Sequence, residues 1–238
     1  MLELKNIQFA VHESNDSKEI IRHIDITVPD RSFTVITGPN GGGKSTLAKL
    51  VMGLEKPTGG QILFDGEDIT NVSISERAKR KIGYAFQQPP RFKGLTIRKL
   101  LSLAHGSELS ECMSCQYLSD VGLCAHDYLD REMDASLSGG EVKRIEIATL
   151  LARDLKLAIF DEPEAGIDLW SFAKLVDTFQ NLRKYNMSIL LISHQERIMQ
   201  MADEIIVVEQ GMVTKQGSRE EILPQLLHEF DTICDKCL

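Results

Sequence analysis

Asp161 and Glu162 stand side by side at the end of an apolar run, Leu157-Ala158-Ile159-Phe160. Paired acids at a buried strand end repel each other and lose hydration unless a cation or a proton compensates. Upstream, Gly38-Pro39-Asn40-Gly41-Gly42-Gly43-Lys44-Ser45-Thr46 fits the pattern Gly-x-x-x-x-Gly-Lys-Ser/Thr. Glycines there let the backbone approach phosphate oxygens closely, and its N–H groups turn inward as an anion nest. Lys44 can neutralise β/γ-phosphate charge, and Ser45 can ligate Mg²⁺. With such a loop present, Asp161 is placed to hold the metal and Glu162 to polarise the attacking water. The bland alternatives are a glycine-rich turn and two solvated acids. The flanking pattern of strand, loop and helix favours the functional reading.

A third element is Leu137-Ser138-Gly139-Gly140-Glu141. Ser138 and Glu141 have capping-box spacing, which predicts a helix over Glu141–Ala152. The N-terminus of a helix carries partial positive charge and free N–H groups, and Gly139 and Gly140 leave the approach to them open. Cap and anion site are therefore compatible roles for the same residues.

The elements that must hold these residues are legible from periodicity. Leu2–Phe9, Ile24–Val28 and Phe33–Thr37 read as strands, the last running into the phosphate loop, with a helix over Lys44–Gly53 behind it. Gln61–Phe64 reads as a strand ending in a hairpin turn at Asp65-Gly66. Ser73 and Glu76 again have capping-box spacing and open a short helix. Ile82–Phe86, Leu157–Phe160, Ser188–Ile192 and Ile205–Val208 read as strands. Between Pro89 and about Arg153 helical spacing dominates and no strand is expected. The stretch after about Pro224 is the least constrained. Strands alternating with helices give an α/β fold with a mainly parallel sheet.

The chain of 238 residues carries a net charge of −8. That balance argues against a large nucleic-acid footprint, so no nucleic-acid partner is expected. No run approaches the roughly 20 apolar residues that span a bilayer. Met1-Leu2-Glu3-Leu4-Lys5 has no apolar signal core, so a cytoplasmic location is expected. A transporter served by this chain would have its membrane part on another polypeptide.

The order of phosphate loop, Gln87, Ser138–Glu141, Asp161-Glu162 and His194 resembles the ABC ATPase family, cassettes that hydrolyse ATP between two paired subunits. The resemblance covers nearly the whole chain. It implies a P-loop NTPase cassette in a single domain spanning 1–238. That cassette has a parallel core sheet, an antiparallel β subdomain, an inserted helical subdomain at about 89–153 and a C-terminal tail at about 225–238. It implies ATP and Mg²⁺ as cofactors. Gly38 to Thr46 would bind nucleotide, and Ser138, Gly139, Gly140 and Glu141 would meet the γ-phosphate of ATP held by a second cassette in a homodimer. Ser45, Gln87 and Asp161 would bind metal, and Glu162, His194 and Gln87 would be catalytic. Gln88 is the neighbouring alternative for Gln87. Ala165-Gly166-Ile167-Asp168 is similar to the D-loop, which crosses the dimer interface.

Some residues depart from the family wording. Glu141 stands where the family usually has Gln, and its charge would repel phosphate unless the side chain turns away. The family often stacks adenine on an aromatic residue where Val11 stands here, and Phe9 is expected to face the same side. Glu141-Val142-Lys143-Arg144-Ile145-Glu146-Ile147 is similar to the SufC ATPases of iron–sulfur cluster assembly. That resemblance favours iron–sulfur cluster assembly over transport as the expected role and implies a SufB/SufD-like scaffold protein as partner. The transporter reading implies a membrane permease instead, and Lys56-Pro57-Thr58-Gly59-Gly60-Gln61-Ile62 is typical of transport cassettes too. Cys112 with Cys115, Cys234 with Cys237, and Cys124 include two Cys-x-x-Cys pairs. Four thiolates can hold Zn²⁺ or an iron–sulfur cluster. The pairs lie far apart in sequence, which favours ordinary reduced thiols.

Overall fold

The computed structural model describes residues 1–13 and 16–235, with nothing stated of side chains at 12–17 and 229–238. The chain begins with β1 (Leu2–Glu13), β2 (Asp16–Val28), β3 (Phe33–Thr37), α1 (Lys44–Met52), β4 (Gly59–Phe64), β5 (Glu67–Asp68) and α2 (Ile74–Lys79). It continues with β6 (Ile82–Ala85), β7 (Phe92–Thr96), α3 (Ile97–His105), α4 (Glu111–Asp120), α5 (Ala125–Tyr128) and β8 (Glu132–Met133). Next come α6 (Gly139–Leu151), β9 (Leu157–Asp161) and α7 (Leu169–Leu182). It closes with β10 (Ser188–Ile192), α8 (Glu196–Met199), β11 (Glu204–Glu209), β12 (Met212–Ser218) and α9 (Arg219–Asp235). These elements form two compact units, Met1–Arg77 with Ser188–Leu238, and Ala78–Met187.

In the first unit, β3 lies between β10 and β11 and is parallel to both. Its residues Phe-Thr-Val-Ile-Thr are all buried, as the run of β-branched and aromatic side chains predicts for a strand covered on both faces. Ile192 aligns with Ile36 and Val207 with Thr37, so the three strands run in register, with β11 continuing two residues further to Glu209. β12 returns antiparallel along β11 through Gln210 (φ 49°) and Gly211 (φ 78°), the left-handed pair of a tight hairpin. Asp65 (φ 52°) and Gly66 (φ 81°) turn β4 into β5 in the same way. β2, β1, β4 and β5 make a separate antiparallel sheet.

Helix α1 starts directly at the phosphate loop and stops at Gly53, whose left-handed backbone (φ 82°) donates to the Leu50 carbonyl. Its last turn would still leave carbonyls unsatisfied. Arg77, 1% exposed, answers them: its guanidinium donates to Leu50 O at 2.8 Å and Val51 O at 2.7 Å, and also to Thr70 O and Val72 O. A cation at a helix C-terminus also matches the helix dipole.

The second unit is organised around α6. The helix packs against α3, α4, α7 and β6, and Val142, Ile145, Ile147 and Ala148 are all buried. Burial over most of its circumference marks an interior helix rather than an amphipathic surface one. β6 and β9 pair in parallel, Ala85 beside Phe160. Behind β9, Phe160 meets Phe179 of α7 edge-to-face at 5.1 Å.

Two expectations are corrected. β7 and β8 form an antiparallel pair inside the stretch where no strand was expected. Their ladder is irregular and β8 is two residues long, too short to give a period. α6 starts at Gly139, two residues before Glu141. The chain after Pro224 stays helical to Asp235. Pro224 costs a backbone hydrogen bond, and burial of Ile222, Leu223 and Leu226 beside β11 and β12 offsets it.

Removing Arg77 strips several buried carbonyls of their donor at once. Arg77→Ala should lower unfolding stability by about 3 kcal/mol or more in urea titration. Arg77→Lys should recover only part, because one ammonium cannot reach carbonyls on both sides of a planar fork. A midpoint unchanged in Arg77→Ala would rule out this role.

Candidate functional site

The phosphate loop leaves β3 at Thr37 and is shaped by crowding. Gly38 has φ 129°, and a Cβ on it would lie 2.2 Å from the Val208 carbonyl oxygen. A Cβ on Gly42 would lie 2.7 Å from the same oxygen. Gly41 (φ 78°) meets nothing within 4 Å, so its requirement is conformational only. Gly43 (φ 100°) stands at the N-cap of α1 without a side-chain cap, and Ser45 and Thr46 follow half-buried in the first turn. Lys44, 4% exposed, folds over the loop and donates to the carbonyls of Gly38 and Pro39, both at 2.8 Å. Asn40 and Pro39 are exposed at the tip.

His194 belongs to the same unit. It follows β10 by two residues and is exposed. The Ser193 N–H donates to Ile36 O at 3.1 Å, and the Ser193 hydroxyl accepts the Gln195 N–H at 3.0 Å. Both bonds fix the turn that carries the imidazole past the carboxyl end of the sheet.

The second unit repeats this arrangement with β6 and β9. Asp161 ends β9 at 4% exposure, and the buried Tyr84 hydroxyl donates to its Oδ2 at 2.8 Å. Burial and the Asp161 carboxylate both push ionisation of the Tyr84 hydroxyl upward, so it remains a donor. Glu162 has φ 45°, a left-handed backbone that costs a β-carbon residue on the order of 1 kcal/mol. The turn is closed by the Ala165 N–H on Glu162 O at 3.0 Å. Gln87, two residues beyond β6, donates from Nε2 to Glu162 Oε2 at 2.8 Å. The structure therefore brings Gln87 and Glu162 into contact; Gln88 is exposed beside them.

Ser138 caps α6 as its spacing predicts. Its hydroxyl accepts the Glu141 N–H at 3.3 Å, and the Ser138 N–H donates to Glu141 Oε2 at 2.7 Å. The Tyr128 hydroxyl also donates to the Glu141 carboxylate. The Glu141 side chain is thereby folded back on the cap. A Cβ on Gly140 would lie 2.6 Å from Ser171 Cβ, whereas Gly139 is open, its nearest atom being Gly166 O at 3.9 Å. Gly140 serves the α6–α7 approach, and Gly139 leaves the helix end accessible.

The ABC transporter family model matches residues 21–165. The chain belongs to the ABC family. It is an ATP-binding cassette with ATPase activity. An uncharacterised ABC transporter ATP-binding protein of Methanocaldococcus jannaschii is 38% identical over 220 residues, covering 89% of this chain and 88% of that protein. A probable branched-chain amino acid transport ATP-binding protein of Archaeoglobus fulgidus is 30% identical, covering 87% of each. A sulfate/thiosulfate import ATP-binding protein of a Synechocystis strain is 34% identical, covering 85% of this chain and 57% of its own length. A dimeric ATP-binding cassette in a post-hydrolysis state with ADP and phosphate superposes with TM-score 0.81 at 22% identity, over 92% of this chain and 99% of that one. A nucleotide-free cassette from an ABC transporter superposes with TM-score 0.79 at 26% identity, over 95% and 94%. The names of these relatives speak of transport, and none of them names iron–sulfur cluster assembly.

Further polar residues of the cassette support the D-loop-like turn. Lys143, 6% exposed, donates to the Ala165 carbonyl at the start of the D-loop-like turn, and burial pulls its pKa down. Asp168 ends that turn as the N-cap of α7, accepting from Trp170 N at 2.9 Å and Ser171 N at 3.0 Å. Nothing in a single sequence says which carboxylate Tyr84 or Tyr128 will meet. Val11 is exposed and Phe9 half-buried on β1. Cys112 and Cys124 are exposed and Cys115 is half-buried, all as free thiols. The second pair, Cys234 and Cys237, lies outside the described side chains. Among the described residues no three His, Cys, Asp or Glu gather to hold a metal, and no helix is long and apolar enough to cross a membrane.

Glu146 is the other unexpected group. It lines a cavity of about 330 Å³ whose walls include Phe86, Phe92, Leu103 and Met133. Burial pushes its carboxyl up to about 7, although the Phe86 N–H and Lys143 act downward. A carboxyl raised by folding costs stability where it must ionise. The cost starts as pH climbs past the unfolded value of 4.5 and is complete above about 7. Glu146→Gln keeps the shape and the acceptor and removes the charge. It should therefore be more stable than wild type at pH 8 by about 1–3 kcal/mol, with the advantage shrinking as pH falls toward 5. Equal urea midpoints at pH 8 would contradict a buried charge at this position.

Proposed function

We propose that the chain is the ATP-binding subunit of an ABC membrane transporter. Two copies close head-to-tail on ATP and drive a conformational change in a permease carried by another polypeptide. What supports this reading is that relatives alignable over most of both chains bear transport names.

The chemistry follows from the residues. Lys44 and the loop N–H groups of Gly41 to Ser45 hold and neutralise the β- and γ-phosphates. Glu162 polarises the attacking water, and the Gln87 amide, on the Glu162 carboxylate at 2.8 Å, limits where that carboxylate sits. His194 donates to the γ-phosphate. Ser138 and Gly139 of the second cassette present the open, positive end of α6 to the same phosphate. Ser45, Gln87 and Asp161 offer a hydroxyl, an amide and a carboxylate, a hard oxygen donor set of the kind Mg²⁺ takes. Mg²⁺, when bound there, supplies charge neutralisation across the phosphates. Asp161 is suited to this because the Tyr84 hydroxyl, at 2.8 Å, orients it. Catalysis is then positioning and electrostatics, with no covalent enzyme intermediate.

A second reading, a SufC-like ATPase acting on a soluble SufB/SufD-like scaffold, is favoured by one observation. Glu141, Lys143, Arg144 and Glu146 follow the SufC wording of this helix. Purification from the native cell with and without detergent separates the two. A multi-span partner kept only in detergent supports transport, and a soluble partner kept without it supports assembly.

Glu162→Gln should bind ATP, accumulate as a dimer in ATP by light scattering, and lose turnover by about 10²-fold or more. Turnover near the wild-type rate would remove Glu162 from its assigned role.

A further inference from the structure

A carboxyl group in a mostly apolar cavity, whose walls also carry Thr149 and Arg153, needs a reason to be there. Glu146 sits on α6 two turns beyond the Ser138 cap, and its Oε1 accepts the Phe86 N–H at 3.0 Å. Phe86 is the first residue past β6, whose ladder with β9 ends at Ala85 beside Phe160. The next residue, Gln87, donates to Glu162 at 2.8 Å. A single hydrogen bond from α6 thus fixes the backbone one residue before the amide that meets Glu162.

We infer that Glu146 is a positioning residue for ATP hydrolysis: by holding the Phe86 N–H it sets where Gln87 presents its amide to Glu162. The inference rests on the proposed roles of Gln87 and Glu162. It requires an acceptor at position 146 and does not require a charge. Gln can accept the same N–H; Ala and Leu cannot. Loss of the bond frees the peptide ahead of Gln87 while the phosphate loop, on other elements, is untouched. The effect should therefore fall on kcat and spare KM, as misplacement of a reacting group does.

The test uses the full chain, with ATP turnover, ATP affinity and amide exchange measured on Glu146→Ala, Glu146→Leu, Glu146→Gln, Gln87→Ala and the double variant Glu146→Ala/Gln87→Ala. Expected is a fall in kcat of about tenfold for Ala and Leu with KM within about twofold, and recovery to within about twofold in Gln. The Phe86 amide should exchange at least about tenfold faster in Ala and Leu than in wild type or Gln, while neighbouring amides of β6 stay protected. The double variant should be no slower than Gln87→Ala alone, because both act through one contact. The Leu variant keeps the side-chain volume, so a folding defect confined to Ala does not obscure the result. If Gln87→Ala loses turnover while Glu146→Ala and Glu146→Leu keep it, or if the two effects multiply, the positioning role is overturned and the reading of Gln87 survives. Wild-type turnover in Gln87→Ala would overturn both.

Discussion

The Val208 carbonyl is the point on which the phosphate loop turns. Two loop residues, Gly38 and Gly42, pass so close to it that any Cβ would overlap it, at 2.2 and 2.7 Å. A loop that must present several N–H groups to one anion has to curl tightly, and it can curl here only because β11 supports it from behind. Gly38 and Gly42 are thus required by the strand behind the loop. Lys44 completes the arrangement by bonding Gly38 and Pro39 carbonyls, which fixes its ammonium against the loop it serves. An ammonium buried to 4% exposure is tolerable only with such acceptors around it.

Parallel pairing does the remaining placement. A parallel ladder puts the carboxyl ends of its strands level, so residues that follow neighbouring strands emerge together. In one unit, β3 and β10 deliver the phosphate loop and His194. In the other, β6 and β9 deliver Gln87 and the Asp161-Glu162 pair. Residues scattered along the sequence become neighbours in this way without any long-range side-chain design. The strain accepted at Glu162, with φ 45°, lies where the carboxylate must turn out of the strand toward Gln87.

This explains what could be read from the sequence. The phosphate loop and the Ser138 cap are legible because their residue spacing is local, although the loop also leans on Val208 of β11. The parallel core was legible because Phe33–Thr37, Leu157–Phe160 and Ser188–Ile192 are short apolar runs separated by helical patterns. β12 was missed because Met212–Ser218 alternates exposed and half-buried residues and carries Lys215 and Gly217, so it resembles a loop until the Gln210-Gly211 turn is seen. β7 and β8 lack any period. Arg77, Tyr84, Tyr128 and Glu146 were illegible for a different reason. Each is a polar residue whose partner lies in another element, and a single sequence does not pair them.

Helix α6 shows why such residues matter more than their number suggests. After its cap it carries three charged side chains within four residues, and each is tied to the backbone of a different segment. Lys143 donates to Ala165 O, Arg144 to Val121 O and Gly122 O, and Glu146 accepts from Phe86 N–H. Desolvation pulls the pKa values of both cations down and pushes that of the acid up, so all three positions are electrostatically unfavourable for an interior helix. Apolar residues would fill the same space at lower cost. What the charges provide is connection: a rigid helix bonded to these loops cannot shift without carrying the loops or breaking the bonds. The capped end of α6 is therefore mechanically joined to the turn before Asp168 and to the residue before Gln87.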